Sequence, residues 1–167
     1  MQNKTMSNDQ AKGHDSRAIA NIFVRKAQEA GHRLTIMSLV KYVYFAHGWT
    51  LGYTKEPLIC HDVQAWRYGP VISEAYYAFR GKGFIVRGPA KMSLTKFYEA
   101  EPTKRQSGII DGVYTEYSKM RPWELSATTH HSESPWSKYN GRNYSIIPNE
   151  EIMEYYQSII RRKQNGE

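Results

Sequence analysis

The chain has 167 residues, one cysteine and a net charge of +7, from 23 Lys and Arg against 16 Asp and Glu. A chain of this length is most simply one domain that buries roughly 70% of its unfolded surface, so it needs no covalent staples. The lone Cys60 excludes an internal disulfide, no run approaches the ~18 uncharged apolar residues of a membrane helix, and the N-terminus lacks an apolar signal core. A cytoplasmic protein with no membrane partner is expected.

Residues 1–14 are polar and show no apolar periodicity, which predicts a flexible arm ahead of a single domain over 15–167. Asp15 or Ser16 can cap a first helix that puts Ile19, Ile22, Phe23, Ala27 and Ala30 on one face, and Gly31 can stop it. Thr35 can cap a second helix. From Tyr42 onward this helix is apolar all round, so it should be buried at the centre of the domain. Gly48 and Gly52 within it suggest close packing by a neighbour and termination.

Leu58, Ile59 and Cys60, then Val63, Gln64, Ala65 and Trp66, resemble two short strands, with Cys60 a small buried hydrophobe. Gly69 and Pro70 should open a third helix, proline taking the first helical position. Phe84, Ile85 and Val86 read as a strand. Between residues 80 and 105 lie seven basic side chains (Arg80, Lys82, Arg87, Lys91, Lys96, Lys104, Arg105) against Glu99 and Glu101, in a loop-like segment. Ile110, Val113, Tyr114 and Tyr117 mark a short helix, and Pro122 starts another. Pro135 and Trp136 start a single turn closed by Gly141. Asn149 should cap a last helix whose terminal charges, Glu150 and Glu151 against Arg161, Arg162 and Lys163, match its dipole. The fold expected is mainly α: a compact helical domain with a small β-hairpin or short sheet.

His47, His61, His130 and His131, with Cys60 and Asp62, do not have the spacing of metal ligands. There is no CxxC and no HExxH, and His130 and His131 are adjacent. His47, on a buried helix, reads as a hydrogen-bonded core histidine. Cys60 has no nucleophile signature around it, and no phosphate-binding glycine loop occurs, so neither a cofactor nor an enzyme is expected. A helix-turn-helix reading of the first two helices fails because the second offers Lys41 and little else to base edges. The basic segment 80–105 could still hold a phosphate backbone. Thirteen tyrosines suit an interface. Those off the apolar faces, Tyr76, Tyr77 and Tyr139, join Arg80, Lys82, Arg87 and Lys91 as candidate partner-binding residues.

The run LVKYVYFAHGW at 39–49, the pair Pro57-Leu58, and AWRYGPV at 65–71 together resemble the Panacea domain, the SocA-like antitoxin family. Thr129-His130 followed by Pro135-Trp136 matches a second motif of that family, and the similarity covers about residues 17–160. Val40 stands where leucine is common. The resemblance implies a mainly helical fold with a small β element. It also implies an antitoxin that neutralises a cognate toxin by direct protein–protein binding. Such genes are common on prophages and other mobile elements, and some relatives act as adaptors that deliver the toxin to a protease. The shared residues His47, Trp49, Trp66, Tyr68, Gly69, Pro70, Thr129, His130, Pro135 and Trp136 are expected to be mainly structural and mostly inside. A fully buried Trp66 would then cost roughly 3–5 kcal/mol on truncation to alanine. The alternative is a phage or mobile-element protein that binds nucleic acid through segment 80–105.

Overall fold

Helix α2 (Ile36–Thr54) occupies the centre of the computed structural model, which describes residues 13–81, 83–139 and 144–167. It touches all five other helices of the described residues. Thr35 Oγ1 caps it by accepting from the Ser38 N–H at 3.1 Å. Leu39, Tyr42, Val43, Phe45 and Ala46 are buried on its several sides, as an all-round apolar helix requires. Gly52 does not end it. The helix continues to Thr54 and stops at Lys55, whose φ of 61° takes the left-handed form.

The glycines of α2 serve contact with α6 (Asn149–Gln164). A methyl at Gly48 would lie 2.5 Å from Tyr156 Cζ and 2.7 Å from Cδ2, inside the ring's contact surface. Tyr156 is buried and packs edge-on against Trp49 and Tyr44, so it has little room to move. Gly48→Ala is therefore expected to destabilise the protein by about 2 kcal/mol in urea titration. The overpacking outweighs the ~1 kcal/mol that alanine gains in helix propensity.

Helix α1 (Ser16–Ala30) starts where expected. Asp15 accepts from the Arg17 N–H at 2.9 Å, and Gly31 at φ 68° closes the helix. The three strands β1 (Val63–Trp66), β2 (Gly69–Val71) and β3 (Ser145–Ile147) form an antiparallel sheet of order β2-β1-β3. Trp66 pairs with Gly69, and Gln64 lies between Val71 and Ile146. Val63 and Ala65 face the core, whereas Gln64 and Trp66 face outward.

Several local expectations change. Gly69 and Pro70 do not open a helix; they form an edge strand, and α3 (Ser73–Phe79) begins three residues after Pro70. Proline suits an edge because it has no N–H to give. Gly69 is required because its φ is 116° and a Cβ there would lie 2.6 Å from Thr129 Oγ1. Leu58, Ile59 and Cys60 make a single parallel bridge with His14 rather than a ladder, and Cys60 is exposed, not buried. Gly13 and His14 of the expected arm are thus tied to the domain, and residues 1–12 lie outside the described residues. Ile85 makes one bridge with Thr35 instead of a strand.

Helix α4 (Lys104–Tyr117) begins earlier than its apolar period, because Thr103 and Gln106 form a capping box. Next come α5 (Pro122–Thr128) and a 3-10 turn (Pro135–Tyr139). Gly141, expected to close that turn, is outside the described residues. Asn149 is the first residue of α6 rather than its cap, since its side chain is engaged by His47.

Candidate partner-binding surface

The hairpin turn between β1 and β2 is held from below by side chains that the sequence motifs share. Trp136 Nε1 donates to the Trp66 carbonyl at 2.7 Å, and Ser126 Oγ donates to the Tyr68 carbonyl at 2.5 Å. Thr129 Oγ1 donates to the Ser126 carbonyl at 2.6 Å, and the His130 ring stacks on Trp136 at 4.0 Å. Lys41, reaching out of α2, donates from Nζ to the Pro70 carbonyl at 2.9 Å. The turn is therefore fixed at each of its ends by α2, α5 and the 3-10 turn.

Lys41 is 1% exposed, and burial alone pulls its ammonium down to about 7. Burial, and after it the nearby Lys41 charge, also lowers the exposed His130 below the usual histidine value. His47 is wholly buried. The Ile59 N–H donates to its Nδ1 at 3.4 Å, so Nε2 carries the proton and donates to Asn149 Oδ1 at 2.9 Å. Burial pulls it down to about 4, which keeps it neutral. Trp49, half-buried, donates to the Tyr117 hydroxyl and lies under Lys163 Nζ at 4.8 Å.

The shared residues differ in burial: Trp49 is half-buried, and His130, expected inside, is exposed with its ring laid over Trp136. His47, Gly69, Pro70, Thr129, Pro135 and Trp136 are buried. Trp66 is only half-buried, and Tyr68 is 57% exposed, because both stand on the outward side of the hairpin. A fully buried Trp66 is thus replaced by the centre of an open aromatic face. Its ring meets Tyr76 edge-on at 4.9 Å, Tyr144 at 5.2 Å, and Tyr77 at 6.1 Å. Next to it runs an apolar groove of 530 Å³ between α2, the hairpin and α3, with Met37, Phe84 and Tyr144 on its walls and Lys41 at its base. Phe84 is 89% and Tyr144 61% exposed. Tyr144 also holds a φ of 65°, a strained conformation for a bulky side chain that is typical of functional positions.

Of the partner-binding candidates read from sequence, Tyr76, Tyr77 and Arg80 come together at this face, with the Arg80 guanidinium 4.6 Å over the Tyr77 ring. Lys91 lies over Phe97 and shares a shallow depression with Tyr77, and Arg87 is exposed. Tyr139 donates to Glu151 Oε1 at 2.9 Å and so joins the 3-10 turn to α6. Lys82 is outside the described residues. The basic segment does not present a single stripe. Arg105 donates to the Tyr53 carbonyl at the end of α2, and Glu99 faces Arg25.

Sequence reasoning missed Met37, Phe84 and Tyr144. Phe84 followed Gly81 and Gly83 and passed for a strand residue. Lys41 carried a usable signal, since a cation inside an otherwise apolar helix needs a reason. Among the described residues no group of three His, Cys, Asp or Glu could hold a metal ion, and no helix is long and apolar enough to cross a membrane.

A family profile described as "Antitoxin SocA-like, Panacea domain" matches residues 39–137, which run from within α2 through the hairpin into the 3-10 turn. The chain is also 31% identical over 128 residues to Antitoxin SocA of Caulobacter vibrioides (strain NA1000 / CB15N), covering 73% of this chain and 68% of that protein. No solved structure matches.

Proposed function

The chain belongs to the SocA-like, Panacea-domain antitoxin family, and from that premise we propose that it neutralises a cognate toxin by direct binding through the outer face of its hairpin. The observation that carries this reading is the contiguous aromatic surface around Trp66, with Tyr68, Tyr77, Phe84 and Tyr144 all more than half exposed. An open patch of that kind on a small domain is characteristic of a protein-binding site. Its rings supply rigid contact area at low entropic cost, and the guanidinium groups of Arg67 and Arg80 above them add a cationic rim.

The product of the neighbouring gene is the first candidate to test as the toxin, by co-expression. Growth arrest by that gene alone, relieved by this protein, is the expected result. Harmless expression, or toxicity that persists, would sink the reading. Trp66→Ala then locates the surface. Because the ring is half-buried, the variant is expected to lose only about 2 kcal/mol of stability, yet to lose neutralisation altogether. Delivery of the bound toxin to a protease would be a separate activity, visible as a shorter toxin half-life when this protein is present.

A further inference from the structure

The groove beside Trp66 combines apolar walls with an unusual charge arrangement. Of the side chains lining it, two are cationic, Lys41 and Arg67, and none is Asp or Glu. Arg67 is exposed, rests over the Tyr68 ring at 5.3 Å, and has no carboxylate within ion-pair distance among the described residues. Lys41 spends one of its three ammonium donors on the Pro70 carbonyl. The titratable groups that line the groove with it are Arg67 and Tyr68 of the hairpin turn, Tyr76 of α3 and Tyr144 ahead of β3, and the His130 ring after α5 is near enough to sense its charge. None supplies a negative charge. A buried cation without a counter-ion is costly, and an anionic partner would relieve that cost.

Resting on the neutralisation reading, we propose that the groove receives an apolar segment of the toxin that bears a carboxylate, seated over Arg67 and Lys41. The walls exclude the other obvious occupants. A phosphate backbone needs a track of several cations rather than two set among Met37, Phe84 and Tyr144. A second copy of this chain, at net charge +7, would bring like charge to a cationic groove. An acidic apolar segment matches both the walls and the sign of the field.

The Lys41 ammonium, at about 7, is mostly deprotonated at pH 8.5, and a carboxylate placed above it would draw a proton back. Binding should therefore take up close to one proton, and affinity should fall by up to about tenfold per pH unit above pH 7.5.

The experiment uses the full chain and the purified product of the adjacent gene, with calorimetry at pH 7.5 and 8.5 in buffers of different ionisation enthalpy. Wild type should show the proton uptake. Arg67→Glu, a change at an exposed residue that leaves the fold intact, should bind on the order of 100-fold more weakly. Lys41→Met, confirmed as folded by its melting curve, should bind more weakly and show no pH dependence. If both variants bind as wild type does, with no proton uptake, the proposal is overturned while the neutralisation reading stands. Failure of wild type itself to bind overturns both. Self-association of the chain that Tyr144→Ser abolishes, or a DNA oligomer that competes for the groove, would assign the site to another occupant and overturn the proposal.

Discussion

Lys41→Met should make the protein more stable, by about 3 kcal/mol at pH 7, while weakening neutralisation. The cost of the native lysine follows from its ionisation. Burial lowers its pKa from 10.5 to about 7, which corresponds to roughly 5 kcal/mol against the charged form. Methionine is apolar, unbranched and similar in length, so it can follow the lysine stem through the same packing. The Pro70 carbonyl loses a donor in exchange, at about 1 kcal/mol. The direction with pH is set by proton counting. Between pH 7 and 10.5 the unfolded chain holds a proton that the folded chain has released, so wild-type stability rises with pH across this window. Lys41→Met should flatten that rise. Urea titrations at pH 7, 8 and 9.5 suffice. They should stop there because burial holds Tyr42 neutral up to about 12, so its ionisation in the unfolded chain begins to oppose the trend near pH 10. A variant less stable than wild type at pH 7 would show that Lys41 is fully compensated in place.

A residue that lowers stability, at the base of an open groove, is better explained by recognition than by folding. The same contrast explains which parts of the molecule were legible in the sequence. The core of α2 could be read because Leu39, Val43, Phe45 and Ala46 obey one local rule, and so could the ends of α1, where Asp15 and Gly31 act within a few residues of the helix. Gly69 and Pro70 were misread because their local signal, a helix start, is overridden by contacts with Lys41 and Thr129, respectively 28 and 60 residues away from Gly69. β3 was invisible because three residues carry no period of their own, and Ser145 and Ile147 become a strand only by pairing with Ala65 and Val63. The aromatic face was hidden for a related reason. Trp66 looks like a core residue in any short apolar run, and only the alternation of β1 turns it outward beside Tyr76 and Tyr144. The family motifs gave the frame correctly. They could not show that three of their residues, Trp66, Tyr68 and His130, reach the surface.

His47 gives the second large effect, in a separate pH window. Its folded pKa is depressed from 6.5 to about 4 by burial, and its bond to Asn149 opposes this only in part. Stability from keeping it neutral is complete above pH 6.5 and is lost as pH falls toward 4, a change of about 3 kcal/mol. The Asp15 carboxyl, held below the ordinary aspartate value of 3.8, adds its own loss only at more acid pH, so the two contributions separate. His47→Gln should remove the step, because an amide can still donate to Asn149 but does not titrate. If wild type and His47→Gln show the same acid profile, the histidine is not the group responsible. A charged imidazole has no lone pair left for the Ile59 N–H, so protonation breaks a contact between α2 and the segment leading into β1. The bond from Nε2 to Asn149, at the start of α6, is donated in the charged form as well and survives. The acid transition should therefore reach the sheet. Near-UV circular dichroism of the aromatic cluster should change with the same midpoint as global unfolding in wild type, and at lower pH in His47→Gln.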